Sequence, residues 1–421
     1  MSGAGEGTSS IGAAEAASSA AAPPGGAAAV AGSAGSAAVA GAAPAATRGP
    51  VLIIGTGLLG TSLALVLTAA GVPVQLQDTS PTSLALARDM GAGAVRVEGD
   101  PEPALVVVAT PPDVAAQVVI GALEAHPGAV VTDVASVKAR VGAEVRARAG
   151  AAAARYVGSH PMAGRERSGA GAADSDLFAG RPWVIVADGA EPAAEIAVRN
   201  LAMDAGAAPL RLGAAEHDAA VAAVSHMPQL VSSLVAARLE ALPETALELA
   251  GQGLRDVTRI AASDPRLWSA IVVGNAGPVA GLLRDLRADL DALIAGIEPS
   301  AVDAASEEYT APGRAETIAP GAVGAITDVM SRGNTGQARI PGKHGGAPRR
   351  YAVVQVLVPD QPGYLGRLFT DIGEAGVNIE DFAMEHSAGQ RAGLALVSVL
   401  PSAAQPLEAE LDGRGWRVVV A

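Results

Sequence analysis

Four branched aliphatic residues, Val51-Leu52-Ile53-Ile54, run straight into Gly55-Thr56-Gly57-Leu58-Leu59-Gly60, and the chain carries no charge from Val51 to Val72. A buried strand, a glycine turn and a helix in that order belong to a parallel α/β sheet. Gly55 allows a tight turn, Gly57 lets backbone approach a pyrophosphate, and Gly60 lets the helix lie close on the strand; the helix N-terminus attracts phosphate. A run of this length could also cross a bilayer. The three glycines favour a buried strand followed by a buried helix, which reads as the same continuous apolar run.

Strands at 74–77, 105–109 and 130–133 alternate with helical stretches, and 156–158 and 183–186 read as two more strands. This rhythm predicts a Rossmann-type doubly wound parallel sheet over residues 50–212. Apolar positions at three and four spacing then predict an all-helical substrate and dimerisation domain over 213–330. Residues 331–350 are rich in Gly, Pro and basic residues and read as a linker. Residues 351–421 read as a β-α-β-β-α-β, ferredoxin-like α+β module. Residues 1–49 are mostly Ala, Gly and Ser with no apolar face; they read as a disordered tail or as the product of a misassigned start.

The net charge of −14 argues against nucleic acid as a partner, since a phosphate backbone demands a basic face. The absence of cysteine removes thiolate catalysis and thiolate metal ligation. The six histidines show no metal-ligand spacing, so no metal is expected. A soluble, cytoplasmic protein without a membrane anchor fits these features.

Asp78 follows the 74–77 strand, 21 residues after Gly57. A carboxylate there accepts hydrogen bonds from the adenosine ribose hydroxyls and repels a 2′-phosphate, so NAD is favoured over NADP. A turn cap before Thr79-Ser80-Pro81 is the alternative. Leu58 and Leu59 inside the glycine turn, and Thr110 at the end of the 105–109 strand, complete the expected cofactor contacts.

A hundred residues past the glycine turn comes Gly158-Ser159-His160-Pro161-Met162-Ala163-Gly164. A histidine held on a small-residue loop beside a nicotinamide can take a hydroxyl proton while hydride leaves the carbon. Further segments are Asp133-Val134-Ala135-Ser136-Val137-Lys138, Ser225-His226-Met227-Pro228, and Gly253-Leu254-Arg255-Asp256-Val257-Thr258-Arg259, which continues to Trp268 and Asn275. In this order and spacing the set resembles the prephenate/arogenate dehydrogenase family of tyrosine biosynthesis, over about residues 50–300. The resemblance implies NAD-dependent oxidative decarboxylation of prephenate, or of arogenate, with His160 as hydrogen-bond partner and proton acceptor of the 4-hydroxyl. It places Ser136 in the same network near the nicotinamide, Arg259 on a substrate carboxylate, His226 in the substrate pocket, Trp268 over the ring, and Glu166 as a gate paired with an arginine.

Each assignment has a plainer reading: a structural turn histidine at 160, a helix N-cap at Ser136, a surface pair of Arg259 with Asp256, a cap or core role for His226, and core packing for Trp268. His217, His344 and His386 suggest no chemistry.

The C-terminal module, with Asp360-Gln361-Pro362-Gly363 and Gly376-Val377-Asn378-Ile379, is similar to an ACT regulatory domain. That likeness implies an amino-acid site at the strand-to-helix turn of Asp360 and Gly363, faced by a strand beginning at Asn378 and Ile379. Tyrosine is the expected feedback ligand; a purely dimerising module is the alternative. A homodimer is expected. Two competing functions are another Rossmann hydroxyacid dehydrogenase, which would use a lysine base although none occurs between 213 and 330, and a non-catalytic NAD and amino-acid sensor.

Overall fold

The computed structural model describes residues 44–164, 169–300, 321–341, 351–385 and 391–419. The first sheet is built from β1 (Val51–Ile54), α1 (Leu58–Ala69), β2 (Val74–Gln77), α2 (Pro81–Asp89), β3 (Ala94–Val95), β4 (Leu105–Val108), α3 (Pro112–Ala125), β5 (Val130–Asp133), α4 (Ala139–Ala149), β6 (Tyr156–Pro161), β7 (Pro182–Val186), α5 (Pro192–Asp204) and β8 (Ala208–Arg211). Its order is β3-β2-β1-β4-β5-β6-β7-β8. The strands are parallel from β3 to β6; β7 then pairs antiparallel with β6, and β8 runs parallel to β7. Sequence patterning cannot show this reversal, because a buried strand reads the same in either direction.

Both faces of the sheet are covered. Ile53, Leu63, Leu67, Leu76 and Leu201 fill one core, and Leu52, Val106, Val119, Leu123 and Val131 fill the other. Alternate residues of β1 thus enter opposite cores, the geometry that makes a central parallel strand apolar throughout. Each such side chain contributes about 1.5–3 kcal/mol by leaving water. The end of the expected tail belongs to this domain, since the Ala46 and Thr47 amides donate to the Asp204 carboxylate at 3.2 and 2.6 Å.

The helical region comprises α6 (Ala214–Val221), a π-helical turn (Ala222–His226), α7 (Met227–Ala237), α8 (Glu244–Leu247), α9 (Gln252–Thr258), a 3-10 turn (Arg259–Ala261), α10 (Pro265–Gly274), α11 (Ala276–Ile297) and α12 (Ala322–Gln337). Helix α12 corrects the expected linker, whose first residues, 331–337, are helical. The apolar positions Val323, Ile326 and Met330 sit at helical spacing ahead of them, and the helix continues through Gly333 and Gly336. The stretch Ala214–Ala237 is long and apolar enough to cross a membrane by composition alone. It packs instead through polar groups, Ser232 donating to the Val257 carbonyl and Gln229 to that of Ile260.

The last module is β9 (Ala352–Pro359), α13 (Tyr364–Glu374), β10 (Asp381–Glu385), β11 (Ala392–Val399), α14 (Pro401–Gly413) and β12 (Arg417–Val419), in the antiparallel order β10-β11-β9-β12. Its core holds Val354, Val356, Leu368, Ile372, Val397 and Leu411.

Candidate active site

The cofactor end is built around the β1–α1 turn. Gly55 has φ +104°, and a Cβ on it would lie 2.4 Å from the Ala109 carbonyl oxygen; one on Gly60 would lie 1.9 Å from that of Gly55. These two positions admit only glycine, and they let β1, α1 and the end of β4 close on one another. Around Gly57, the N-cap of α1, nothing lies within 4 Å of where a Cβ would stand. Leu58 and Leu59 follow it, half-buried against the sheet core, so their contribution at the turn is backbone.

Asp78 makes the turn cap expected of it as an alternative and also ties its strand end to the glycine turn. Its Oδ1 accepts from the Ser80 amide at 2.7 Å, while Oδ2 accepts from the Thr56 amide and hydroxyl at 2.6 and 2.8 Å, which ties the end of β2 to the glycine turn. Partial burial pushes this carboxyl up, but the bonds from Ser80 and Thr56 outweigh it and hold it below its usual range. A cavity of about 640 Å³ opens beside it, lined by Leu76, Leu84, Val97 and Asp100 among others. The hydroxyl of Thr110 is buried and finds no hydrogen-bond partner among the described residues. An open cradle at a helix N-terminus, a carboxylate at the next strand end and an unpartnered hydroxyl fit NAD.

The residues expected to carry the chemistry sit at the far ends of β5 and β6. His160 is the fifth residue of β6, not part of a loop, because β6 continues through Pro161 to pair with β7 at His160–Val184. It is 8% exposed. Its Nδ1 lies 2.9 Å from Nε2 of His217, whose own Nδ1 lies 2.8 Å from Oδ1 of Asp218. The amides of Lys138 and Ala139 donate to the same carboxylate at 2.8 and 2.9 Å. His217, passed over in the sequence, is therefore the residue in direct contact with His160. The signal available was its position: Ala214, His217, Asp218 and Val221 form one buried stripe of α6, and two ionisable residues on such a stripe call for partners.

Behind this chain Lys138 is wholly buried. Its Nζ donates to Oδ1 of Asp133 and, at 2.8 Å, to the Ser159 carbonyl; Oδ2 of Asp133 accepts from the Tyr156 hydroxyl at 2.6 Å. The pair braces the β5–α4 loop, which carries Ser136, against the strand that carries His160. Ser136 is half-buried in a bend, two residues before the Lys138 N-cap of α4, so it caps no helix. No hydrogen bond of its side chain to His160 is present.

His226 closes the π-turn and is 1% exposed. Pro228 cannot donate to the Val224 carbonyl and its ring crowds that oxygen, which the widened turn relieves. Nδ1 of His226 lies 3.1 Å from Nδ2 of Asn275, and its ring meets Trp268 edge-on at 6.1 Å. The Asn275 amide also donates to the Asp218 carbonyl at 2.7 Å, which links the two histidine sites. At the end of α10, a Cβ on Gly274 would stand 3.1 Å from Val137, so this helix closes directly on the Ser136 loop. Arg259 opens the 3-10 turn after α9 and is exposed, while the Asp256 carboxylate accepts from Nε2 of Gln252 at 2.8 Å. Gln229, one turn past His226, holds the adjacent Ile260 carbonyl at 2.8 Å, so the turn of Arg259 is fastened to the helix of His226. Glu166 lies outside the described residues, as do His344 and His386.

Burial first, then the neighbouring His217, Lys138 and His226, push the His160 imidazole well below its usual range. Burial also lowers His226, from 6.5 to about 4, against the pull of Asp218. Both rings are neutral at pH 7, and His160 can accept a proton. A stability effect follows. Between pH 6.5 and about 4 the unfolded chain binds a proton at His226 that the folded chain does not, so stability falls as pH falls through that window. His160 acts in the same direction. Urea midpoints should drop steadily from neutral pH to the middle of that window; a constant midpoint would contradict the buried neutral rings.

In the C-terminal module Gly363, φ +89°, caps α13 just after Asp360. Asn378 and Ile379 precede β10 rather than begin it. The Asn378 side chain donates to the Glu380 carboxylate at 2.9 Å, and pairing with β11 starts at the Glu380 amide, which donates to the Ser398 carbonyl at 2.9 Å.

With this geometry in view, comparison with known proteins is decisive. Residues 63–208 match the family model of the prephenate dehydrogenase nucleotide-binding domain, 213–309 that of the prephenate dehydrogenase dimerization domain, and 352–410 the ACT domain. Probable prephenate dehydrogenase NovF of Streptomyces niveus is 36% identical over 370 residues, 87% of this chain and 98% of that protein. The chain belongs to the prephenate dehydrogenase family. A Bacillus subtilis prephenate dehydrogenase is 30% identical over 240 residues, 53% of this chain and 64% of that one. The crystal structure of A. aeolicus prephenate dehydrogenase in complex with hydroxyphenyl propionate and NAD+ superposes with a TM-score of 0.56 at 25% identity, over 68% of this chain and 97% of that one. This member of the prephenate dehydrogenase family is thus an NAD-dependent dehydrogenase with a C-terminal ACT domain.

Proposed function

We propose that this enzyme oxidises and decarboxylates prephenate to 4-hydroxyphenylpyruvate, with His160 as the base. The observation that carries the role is a buried, neutral imidazole whose Nδ1 is engaged by His217, while no partner for Nε2 is found among the described residues. Nε2 accepts the 4-hydroxyl proton and returns it to the phenolate oxygen once carbon dioxide has left and the ring is aromatic. NAD, when bound, supplies the acceptor for the hydride of the carbinol carbon. Gly57, Thr110 and Asp78 hold it, at the pyrophosphate, beside the end of β4, and at the ribose. Ser136, on the loop between β5 and α4, orients the hydroxyl and the nicotinamide end. Arg259 takes a substrate carboxylate as a two-toothed fork. His226 and Trp268 shape the ring pocket. Glu166 gates access.

Arogenate is the second reading of the substrate; positive and neutral pocket groups, Arg259 and His226, favour the keto acid. Leu286, Leu290, Ile294 and Ile297 leave an exposed apolar stripe along α11, which supports a homodimer through the helical region. The turn of Asp360 and Gly363 is offered as a tyrosine site. Cytoplasmic residence fits a soluble biosynthetic enzyme. The test is NADH formation with prephenate and arogenate side by side, each with and without tyrosine. Turnover of prephenate, suppressed by tyrosine, supports the whole reading. Turnover of arogenate alone reverses the substrate, and turnover of neither defeats it.

A further inference from the structure

His217 and Asp218 have no part in the mechanism above, yet they are buried in direct line behind the base. Oδ1 of Asp218 accepts from the Lys138 amide and from Nδ1 of His217, both at 2.8 Å, and Oδ2 from the Ala139 amide at 2.9 Å. Burial raises this carboxyl, but the bonds from His217, Lys138 and Ala139 outweigh it and hold it below its usual range. It is therefore ionised and can only accept. Nδ1 of His217 must carry a hydrogen, and a neutral His217 then offers a bare Nε2. That nitrogen faces Nδ1 of His160 at 2.9 Å, so His160 must donate there and keeps its own lone pair on Nε2. One carboxylate thus dictates the tautomers of two rings in succession.

We propose that His217 and Asp218 are positioning residues that lock His160 in its Nδ1–H form and hold the substrate's proton during the reaction. The inference rests on the reading of His160 as the base. When hydride leaves the carbinol carbon, the O–H bond breaks, its electrons form the carbonyl, and the proton bonds to Nε2 of His160. The hydrogen on Nδ1 passes to Nε2 of His217, whose imidazolium faces the Asp218 carboxylate. The positive charge is thereby moved off His160. Lys138 and His226 are the other groups that crowd it. On decarboxylation the C–C electrons aromatise the ring, the carbonyl electrons return to oxygen, and the proton comes back along the same two nitrogens. No net proton is gained or lost.

A solvent proton on Nε2 of His160 leaves the base occupied, and His217 and Asp218 support that state through the Nδ1 hydrogen bond. The acid limb of kcat/KM, which reports His160, therefore depends on both residues. His217→Gln places an amide oxygen where Nε2 stood, which accepts from His160 but stores no proton. It should lower kcat about 10- to 100-fold, leave substrate KM and NAD affinity near wild type, and move the acid limb down by about one pH unit. Asp218→Asn should move the limb the same way. An unmoved limb in both, whatever happens to kcat, would reduce the pair to packing and overturn the proposal. Wild-type enzyme supplies a measurement free of folding defects: the proton inventory of the oxidation step in mixed light and heavy water should be bowed, and a straight line overturns the relay. Failure of the base assignment looks different, because NADH formation would then survive His160→Asn.

Discussion

His160→Asn should lose about 10²- to 10⁴-fold in kcat while binding NAD as tightly as the unaltered enzyme. The substitution is chosen on geometry. The amide nitrogen of asparagine stands where Nδ1 does and can still donate to His217, so the buried contact at 2.9 Å survives. What disappears is Nε2, the nitrogen assigned to the substrate hydroxyl. A loss of this size corresponds to about 3–5 kcal/mol of transition-state stabilisation. Substrate KM should change little, because carboxylate binding is assigned to Arg259. Steady-state NADH formation and NAD titration, measured on the same preparation, separate the outcomes. A rate within a factor of about three of wild type would end the role of His160 as the base.

Lys138→Met should destabilise the nucleotide-binding domain by about 3–5 kcal/mol. Lys138 and Asp133 are both fully buried, and the lysine also holds the Ser159 carbonyl at 2.8 Å. Methionine fills much of the same volume, so the loss is electrostatic. It leaves the Asp133 carboxylate in the core with only the Tyr156 hydroxyl and the Ala135 amide. Adding Asp133→Asn should recover part of the loss, since an uncharged amide costs far less to bury than an unpaired carboxylate. Urea unfolding of the two variants gives the comparison. A single-variant cost below about 1 kcal/mol would mean that the pair carries no more energy than a surface bridge. Activity should fall as well, because the brace joins the Ser136 loop to the strand of His160.

The two variants probe different kinds of legibility. Gly55, Gly57, Gly60 and Asp78 were readable because they lie within one strand–turn–helix–strand unit, β1 to β2, where spacing along the chain is spacing in space. His160 was readable as chemistry but not as geometry. A run of Gly, Ser, His and Pro suggests a loop, and only pairing with β7 shows that it is a strand. The alternation in residues 351–421 foretold the antiparallel module; Asn378 and Ile379 fall just short of the strand, because pairing with β11 starts only at the Glu380 amide.

By itself, the sequence determined the order of the three folded regions and the NAD-binding turn, and it singled out His160 as the candidate base, because each reading starts from residues near one another in the chain. Tertiary structure alone decided what stands behind His160. His217 is 57 residues from His160 and Asp218 is 80 from Lys138, and no periodicity links such pairs. They meet because α6 leaves the sheet region and packs against the start of α4, where two backbone amides need an acceptor. The need of buried polar groups for partners is general, but which partner each one finds depends on how the helices close over the sheet.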